Sequence, residues 1–298
     1  FQPMFAFISG AVNNDNGVNA LAAIVVFLVV RGLRRGLTWR TGLALGVALV
    51  VLPLMKATGY ELYPLSFLAL VPMLWRHHRR ADLIGFAALA GAFLVAYLGW
   101  HAISPSFESA SAATVTAGSA SVGGARDNLP GYLSYLWQIF LPPLPFMTDL
   151  QSFPAPYFHI YVERGFGAFG WYAVLFPDWV YQVIRLALLV SGAAGIAALW
   201  RNRAWVRRHL VEIAYVALVP VSVIAAVHAA YFTTEQRTVI PEFGRYAFPA
   251  MAALAAMAVG STFALGRRRV VPLATGLVAL MLVLNYAAQL LTLTGFYT

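Results

Sequence analysis

The side chains able to do chemistry in this chain are few, and each stands out against apolar surroundings. Asn13-Asn14-Asp15-Asn16 sets three amides and a carboxylate just ahead of a run that is wholly apolar from Leu21. A carboxylate at the centre of a membrane helix costs about 2.5–3.5 kcal/mol to insert, less near the interface, so Asp15 needs a partner or a task. Capping a helix start accounts for one of these four groups. Orienting a hydroxyl or taking its proton would use more of them. Lys56 is the only lysine in the chain, and Glu61 follows five residues later. Lys56 could lie along apolar surface and pair with Glu61, or it could hold an anionic phosphate or carboxylate.

Two further segments carry charge beside aromatics. Glu163-Arg164-Gly165-Phe166-Gly167-Ala168-Phe169-Gly170-Trp171 alternates glycine with large rings. Glycines so spaced suit tight turns or close approach to a ligand, and the pattern also fits a plain interfacial loop. In Glu242-Phe243-Gly244-Arg245-Tyr246 the arginine fork suits bidentate phosphate contact, and Tyr246 adds a hydroxyl. The alternative is a Glu242–Arg245 surface ion pair, worth about 0–1 kcal/mol. The candidate set is therefore Asp15 as catalytic carboxylate, with Asn13, Asn14, Lys56, Glu61, Arg164, Glu242, Arg245 and Tyr246 binding substrate. Histidines are scattered and no pair shows metal-ligand spacing beside these residues, so no metal ligands are assigned. A carboxylate-held divalent cation stays open as a cofactor. The chain has no Cys, which excludes disulfides and thiolate chemistry. It also lacks a Walker loop, a dinucleotide fingerprint and a Gly-x-Ser-x-Gly elbow.

These residues must be positioned by membrane helices. Of 298 residues, 61% are hydrophobic and 10% charged, with mean hydropathy +0.74; a soluble domain has about 25% charged residues. Crossing roughly 30 Å of hydrocarbon takes about 20 residues. The apolar runs predict an all-α polytopic transmembrane bundle of about eight spans, at residues 11–30, 41–55, 62–75, 81–100, 179–200, 210–232, 246–265 and 270–291. The second and third are short and interrupted by Pro53 and Pro64. Two spans are preferred over a re-entrant pair because the charges then alternate.

The formal charge is +9, and 19 of the 20 basic residues are Arg. Fourteen fall in four clusters, around Arg31 to Arg40, Arg76 to Arg80, Arg201 to Arg208 and Arg267 to Arg269, which eight spans place on one side. The positive-inside rule makes that side cytoplasmic. Nine of the eleven acids then lie opposite. Such clustering is orientation charge, so no nucleic-acid partner is expected. One long extracytoplasmic loop, residues 101–178, completes a single transmembrane domain, 1–298. It opens with small polar residues, 109–124, that bury too little surface to order themselves. From 129 to 176 it turns aromatic, as an amphipathic segment at the headgroups would. Arg185, inside the fifth span, has no assigned role. The opening Phe1-Gln2-Pro3 has no initiator Met or charged leader. No signal peptide is expected, and further residues are expected upstream.

Phe7 to Ala20 with Asn-Asn-Asp, then Gly42-Leu-Ala-Leu-Gly46, Lys56 and Pro64 resemble bacterial multi-span proteins of the GT-C glycosyltransferase superfamily. Phe166-Gly-Ala-Phe-Gly-Trp171, Pro177-Asp-Trp-Val-Tyr181 and Gly244-Arg-Tyr-Ala-Phe-Pro249 are similar to a largely uncharacterised family of predicted bacterial membrane proteins grouped with them. The resemblance implies a multi-pass enzyme of the bacterial plasma membrane, working among membrane lipids on the extracytoplasmic face. It would transfer a sugar, with inversion, from a polyprenyl-phosphate-linked donor to a lipid, glycan or protein acceptor. Asp15 would orient the acceptor or a metal ion, Lys56 and Arg245 would contact phosphate, and the main general base would lie upstream of Phe1. A transporter or flippase of lipid-linked saccharide would use the same anion contacts. A non-catalytic assembly subunit is the third reading.

Overall fold

The computed structural model describes residues 2–10, 14–77, 79–119, 129–147, 156–169, 173–233 and 244–297. Within them the chain forms α1 (Pro3–Ser9), α2 (Asn14–Arg35), α3 (Trp39–Met55), α4 (Tyr63–Arg76), α5 (Arg80–Ser119), α6 (Leu129–Phe140) and α7 (Arg164–Phe166). A two-residue strand β1 (Ala168–Phe169) pairs antiparallel with β2 (Val174–Leu175). Then come α8 (Asp178–Arg201), α9 (Arg203–Arg208), α10 (Leu210–Thr233), α11 (Met251–Ser261) and α12 (Arg267–Tyr297). Three other turns matter below: tight 3₁₀ segments at Ala57–Leu62 and Gly244–Ala250, and a wider π-helical turn at Phe158–Glu163. The chain is an all-α, multi-pass membrane protein with one small hairpin.

Every expected span is helical, but the count needs correction. Among the described residues, six helices are long and apolar enough to cross: Asn14–Arg35, Arg80–Gly99, Asp178–Arg201, Leu210–Ala229, Gly244–Leu265 and Arg267–Gly295. α3 has 17 residues and α4 only 14. At 1.5 Å per residue α4 covers roughly 21 Å, short of the roughly 30 Å core. The reason is local: Lys56 turns extended after α3, and Pro64 opens α4 at its first turn.

The long loop is also shorter than expected at its start. α5 runs on to Ser119, through the small polar stretch read as unable to order itself. Ala110, Ala112, Ala113 and Ala117 lie in it; alanine is the best helix former, and extending a formed helix avoids the cost of nucleation. The rest of the small polar stretch, residues 120–124, lies outside the described residues. The aromatic part becomes α6, the π-helical turn, α7 and the hairpin. α6 buries Tyr135, Gln138 and Ile139 and exposes Leu129, Leu133 and Trp137.

The bundle is drawn together where side chains are smallest. A methyl group on Gly42 would overlap the carbonyl oxygen of Gly85, and one on Gly46 would stand 2.8 Å from Ala92 Cβ. Thus α3 and α5 touch nearly backbone to backbone, as small-xxx-small spacing permits in membranes. Around them Val18, Val25, Val29, Leu45, Leu49, Leu52, Val219 and Val223 fill the core. The arginine clusters gather at one end. There Arg76 Nη1 lies 3.2 Å from Glu212 Oε1, His77 Nε2 lies 3.2 Å from Leu33 O, and Arg201 Nη1 donates to Ala264 O. The opposite end, where α2 and α10 begin and finish respectively, holds the candidate site.

Gly42→Val forces α3 from α5. Overpacking of this kind costs about 1–3 kcal/mol, so the unfolding midpoint of the purified protein in detergent should fall by several degrees. Gly91→Val is the control, since no atom comes within 4 Å of a side chain there; equal midpoints for the two variants would refute the close contact.

Candidate functional site

The site begins with the geometry of a helical hairpin. α2 and α3 are joined by the short turn around Gly36, so the start of α2 returns beside the end of α3. Asp15 stands in the first turn of α2 and Lys56 caps the end of α3. Lys56 Nζ lies 2.5 Å from Asp15 Oδ1, with side chains 26% and 14% exposed. Of the two readings of Lys56, the pairing with Glu61 does not form: the lysine engages Asp15, 41 residues away. Asn14 Nδ2 donates to Met55 O at 3.4 Å, a further tie between the same two helix ends.

The second contributor is the 3₁₀ segment Gly244–Ala250, which packs on α2 and α10. Lys56 Nζ lies 5.1 Å from the centre of the Tyr246 ring, and Arg245 Cζ lies 6.0 Å from it. A cation over an aromatic face is stabilised by about 0.5–2 kcal/mol, more as water is excluded. The structure thus brings Asp15, Lys56, Arg245 and Tyr246 together from three distant stretches of sequence. Arg164 arrives by backbone packing: a methyl group on Gly244 would overlap Ile160 O and come within 2.8 Å of Gly165 Cα. Glycine at 244 is thus required by close approach, and it sets Arg164 and Arg245 on touching segments. Asn13 and Glu242 lie outside the described residues.

The glycine-rich segment has a packing role. Gly167 faces the Phe176 ring, which occupies the space of a side chain. Tyr181 Oη donates to Gly167 O at 2.7 Å and accepts from Phe176 N at 2.9 Å. The close approach is protein to protein, and Tyr181 clamps the hairpin to α8. His159 Nδ1 and Glu163 Oε2, 2.5 Å apart, stiffen the turn before it.

Glu61 completes the site in another way. Ser222 Oγ on α10 donates to its backbone carbonyl at 3.0 Å. Its carboxyl is buried, 8% exposed, and Oε2 has no hydrogen-bond partner among the described residues. Burial pushes its pKa up from 4.5 to about 8, against the opposing pull of Lys56. Near neutral pH Glu61 is mostly an uncharged acid.

Beside it lies a cluster that the sequence did not single out. His228 in α10 is fully buried, 0% exposed. Tyr135 Oη sits 3.1 Å from its Nδ1 and Tyr161 Oη 2.7 Å from its Nε2. Phe140 stacks on Tyr161, and Tyr132 Oη donates to Ala225 O. Burial raises the Tyr161 phenol, and Tyr135 and Glu61 push it the same way, which sets Glu61 close by. The available signal was an ionisable residue inside an apolar span. Arg185, unassigned from sequence, reaches toward this end with its guanidinium over Tyr157 and Phe158 at 5.8 and 5.6 Å. Among the described residues, no group of three or more His, Asp or Glu gathers so as to hold a metal ion.

Residues 1–254 match the family described as Predicted membrane protein (DUF2142), and the chain belongs to that family. The match takes in every residue of the site and stops before α12. No curated protein and no solved structure matches the chain.

Two outcomes follow from the burial. His228→Phe strands two tyrosine hydroxyls; an unsatisfied buried group costs about 1–3 kcal/mol. A lower unfolding midpoint is expected, with Tyr161→Phe adding little in the His228→Phe background; additive losses would refute the pairing. For Glu61, the folded chain keeps a proton up to about pH 8, which the unfolded chain loses near pH 4.5. Its contribution to stability is thus complete below pH 4.5 and lost as pH rises toward 8. Subtracting the Glu61→Gln midpoint from that of the wild type at each pH should leave a falling difference; a flat one would refute burial of an acid.

Proposed function

We propose that this family member is a membrane glycosyltransferase that takes a sugar from a polyprenyl-phosphate-linked donor and passes it, with inversion, to a hydroxyl acceptor. The observation that carries the reading is the convergence of Asp15, Lys56, Arg245 and Tyr246 at the end of the bundle opposite the arginine clusters. By the positive-inside rule that end is extracytoplasmic. A lipid-linked phosphate rests at the depth of the helix ends, so cations there meet it without leaving the interface. The GT-C resemblance of the same residues supports the assignment.

In the reaction, the bond between the sugar's anomeric carbon and the phosphate oxygen breaks, and its electron pair stays on that oxygen. Lys56 and Arg245 stabilise the charge that develops there, an electrostatic term that is commonly the largest in such transfers. The acceptor oxygen bonds to the anomeric carbon from the opposite face and gives up its proton. Phosphate bound to Lys56 opens the lysine's pair with Asp15, and the released carboxylate accepts that proton. Tyr246 and Arg164 flank the donor. Transport of the same lipid is the weaker alternative, because transporters place their charged sites near the midplane, whereas these charges sit at helix ends.

The test uses the full-length protein in detergent with radiolabelled polyprenyl-phosphate sugars and membrane-extract acceptors. Asp15→Asn should lower transfer about 10²–10⁴-fold, as loss of a proton-transfer group does. Arg245→Ala should lower it about 10²–10³-fold, as loss of one charge-stabilising donor does. Undiminished product from both variants would remove the assignment.

A further inference from the structure

Glu61 and the proposed phosphate-binding cations occupy one end of the bundle, yet the acid forms no ion pair among the described residues. Lys56 is already engaged by Asp15 at 2.5 Å. Glu61 is anchored through its backbone to Ser222, and Oε2 lacks a partner among the described residues although the residue is only 8% exposed. A buried carboxylate with no partner is strongly disfavoured, whereas a neutral carboxyl carries one O–H donor. An ionised Glu61 would repel an anion arriving at Lys56. A neutral one would hydrogen-bond to it.

We infer that Glu61 is a proton-carrying ligand of the phosphate group: its neutral carboxyl donates O–H···O to a phosphate oxygen held by Lys56 and Arg245, so the site binds phosphate only with Glu61 protonated. The inference rests on the phosphate reading above and goes beyond it, since it fixes the protonation state in which the site accepts its ligand. The groups facing Glu61 are consistent with it. They are Lys56 at the end of α3 and Tyr161 in the π-helical turn; the 3₁₀ turn that carries Glu61 also packs on α2, α4 and α10, which bring Asp15, Tyr63 and His228 to this end of the bundle. Lys56 alone among them is a lysine or arginine, and it is paired with Asp15. His228 is occupied on both ring nitrogens by tyrosines. The bound anion raises the tendency of Glu61 to keep its proton. As transfer proceeds and charge builds on the departing phosphate, the same O–H bond strengthens.

The experiment is equilibrium binding of farnesyl phosphate to the full-length protein in detergent between pH 7.5 and 9.5. In that window the phosphate is already a dianion, its second pKa being about 6. Wild-type affinity should fall roughly tenfold or more across the window, following the one-proton linkage. Glu61→Gln keeps a neutral donor; it should bind within about threefold of wild type at pH 7.5 and lose the pH dependence. Lys56→Ala should weaken binding throughout. Inorganic phosphate competing with the same pH dependence would identify the phosphate, and not the chain, as the coupled group. Farnesol binding with that dependence would overturn the inference. So would a wild-type pH profile in Glu61→Gln, or collapse of its binding at pH 7.5 in a variant of unchanged unfolding midpoint. The last three results leave the transferase reading standing. Intact, pH-coupled phosphate binding without any sugar transfer sinks that reading and leaves the role of Glu61.

Discussion

The ion pair between Asp15 and Lys56 ties together the end of the bundle where the chemistry gathers, and its length follows from helix arithmetic. From Asp15 to Arg35, α2 rises about 30 Å, while α3 rises about 24 Å over its length. The shortfall is close to the reach of an extended lysine, whose flexible stem carries its ammonium up to the carboxylate. Each charge makes the other tolerable beside apolar helix ends. Removing one partner of a fully buried pair costs about 3–5 kcal/mol, an upper bound here because Lys56 is 26% exposed. Since Tyr246 lies over the lysine, the same pair also fixes where the 3₁₀ segment of Arg245 meets the first two helices.

Close backbone packing lets these ends meet. Gly42 and Gly46 bring α3 against α5, and Gly244 brings the arginine-bearing 3₁₀ segment against the turn before α7. In lipid there is no hydrophobic drive between helices, so intimate contact of small residues supplies van der Waals attraction instead. The glycines near Phe166 and Gly244 are used in the same way. Ligand chemistry is left to the few charged side chains, which stand where the backbone contacts hold them.

The helices themselves were legible from hydropathy, because every apolar run that could be helical is helical. Their limits were less so. Pro64 shortens α4 from its start, and the alanines after residue 109 continue a helix that composition alone assigned to a loop. Asp15, Lys56, Arg245 and Tyr246 were visible as polar residues in apolar company, a signal that survives any folding. Their partners were not. Glu61 lies beyond the point where the chain turns extended at Lys56, and its carbonyl meets Ser222 of α10 while Lys56 reaches Asp15. His228 was passed over for a related reason. Tyr135 and Tyr161 lie 93 and 67 residues from it, and no local periodicity connects such positions.

The two carboxyls of the site illustrate two ways for an acid to live beside apolar helices. Asp15 holds a cation, and Glu61 gives up its charge by holding a proton. The difference determines what each does when an anion arrives. In the proposed reaction phosphate would replace Asp15 on Lys56 one anion for another, so an ammonium already stripped of part of its water need not be desolvated afresh. The displaced carboxylate would then be repelled by the phosphate and driven toward any hydroxyl beside it. Glu61, being neutral, would stay where it is and add a hydrogen bond. A second ionised acid in its place would cancel much of what Lys56 and Arg245 contribute, and for this reason its burial without a partner is an asset to an anion site.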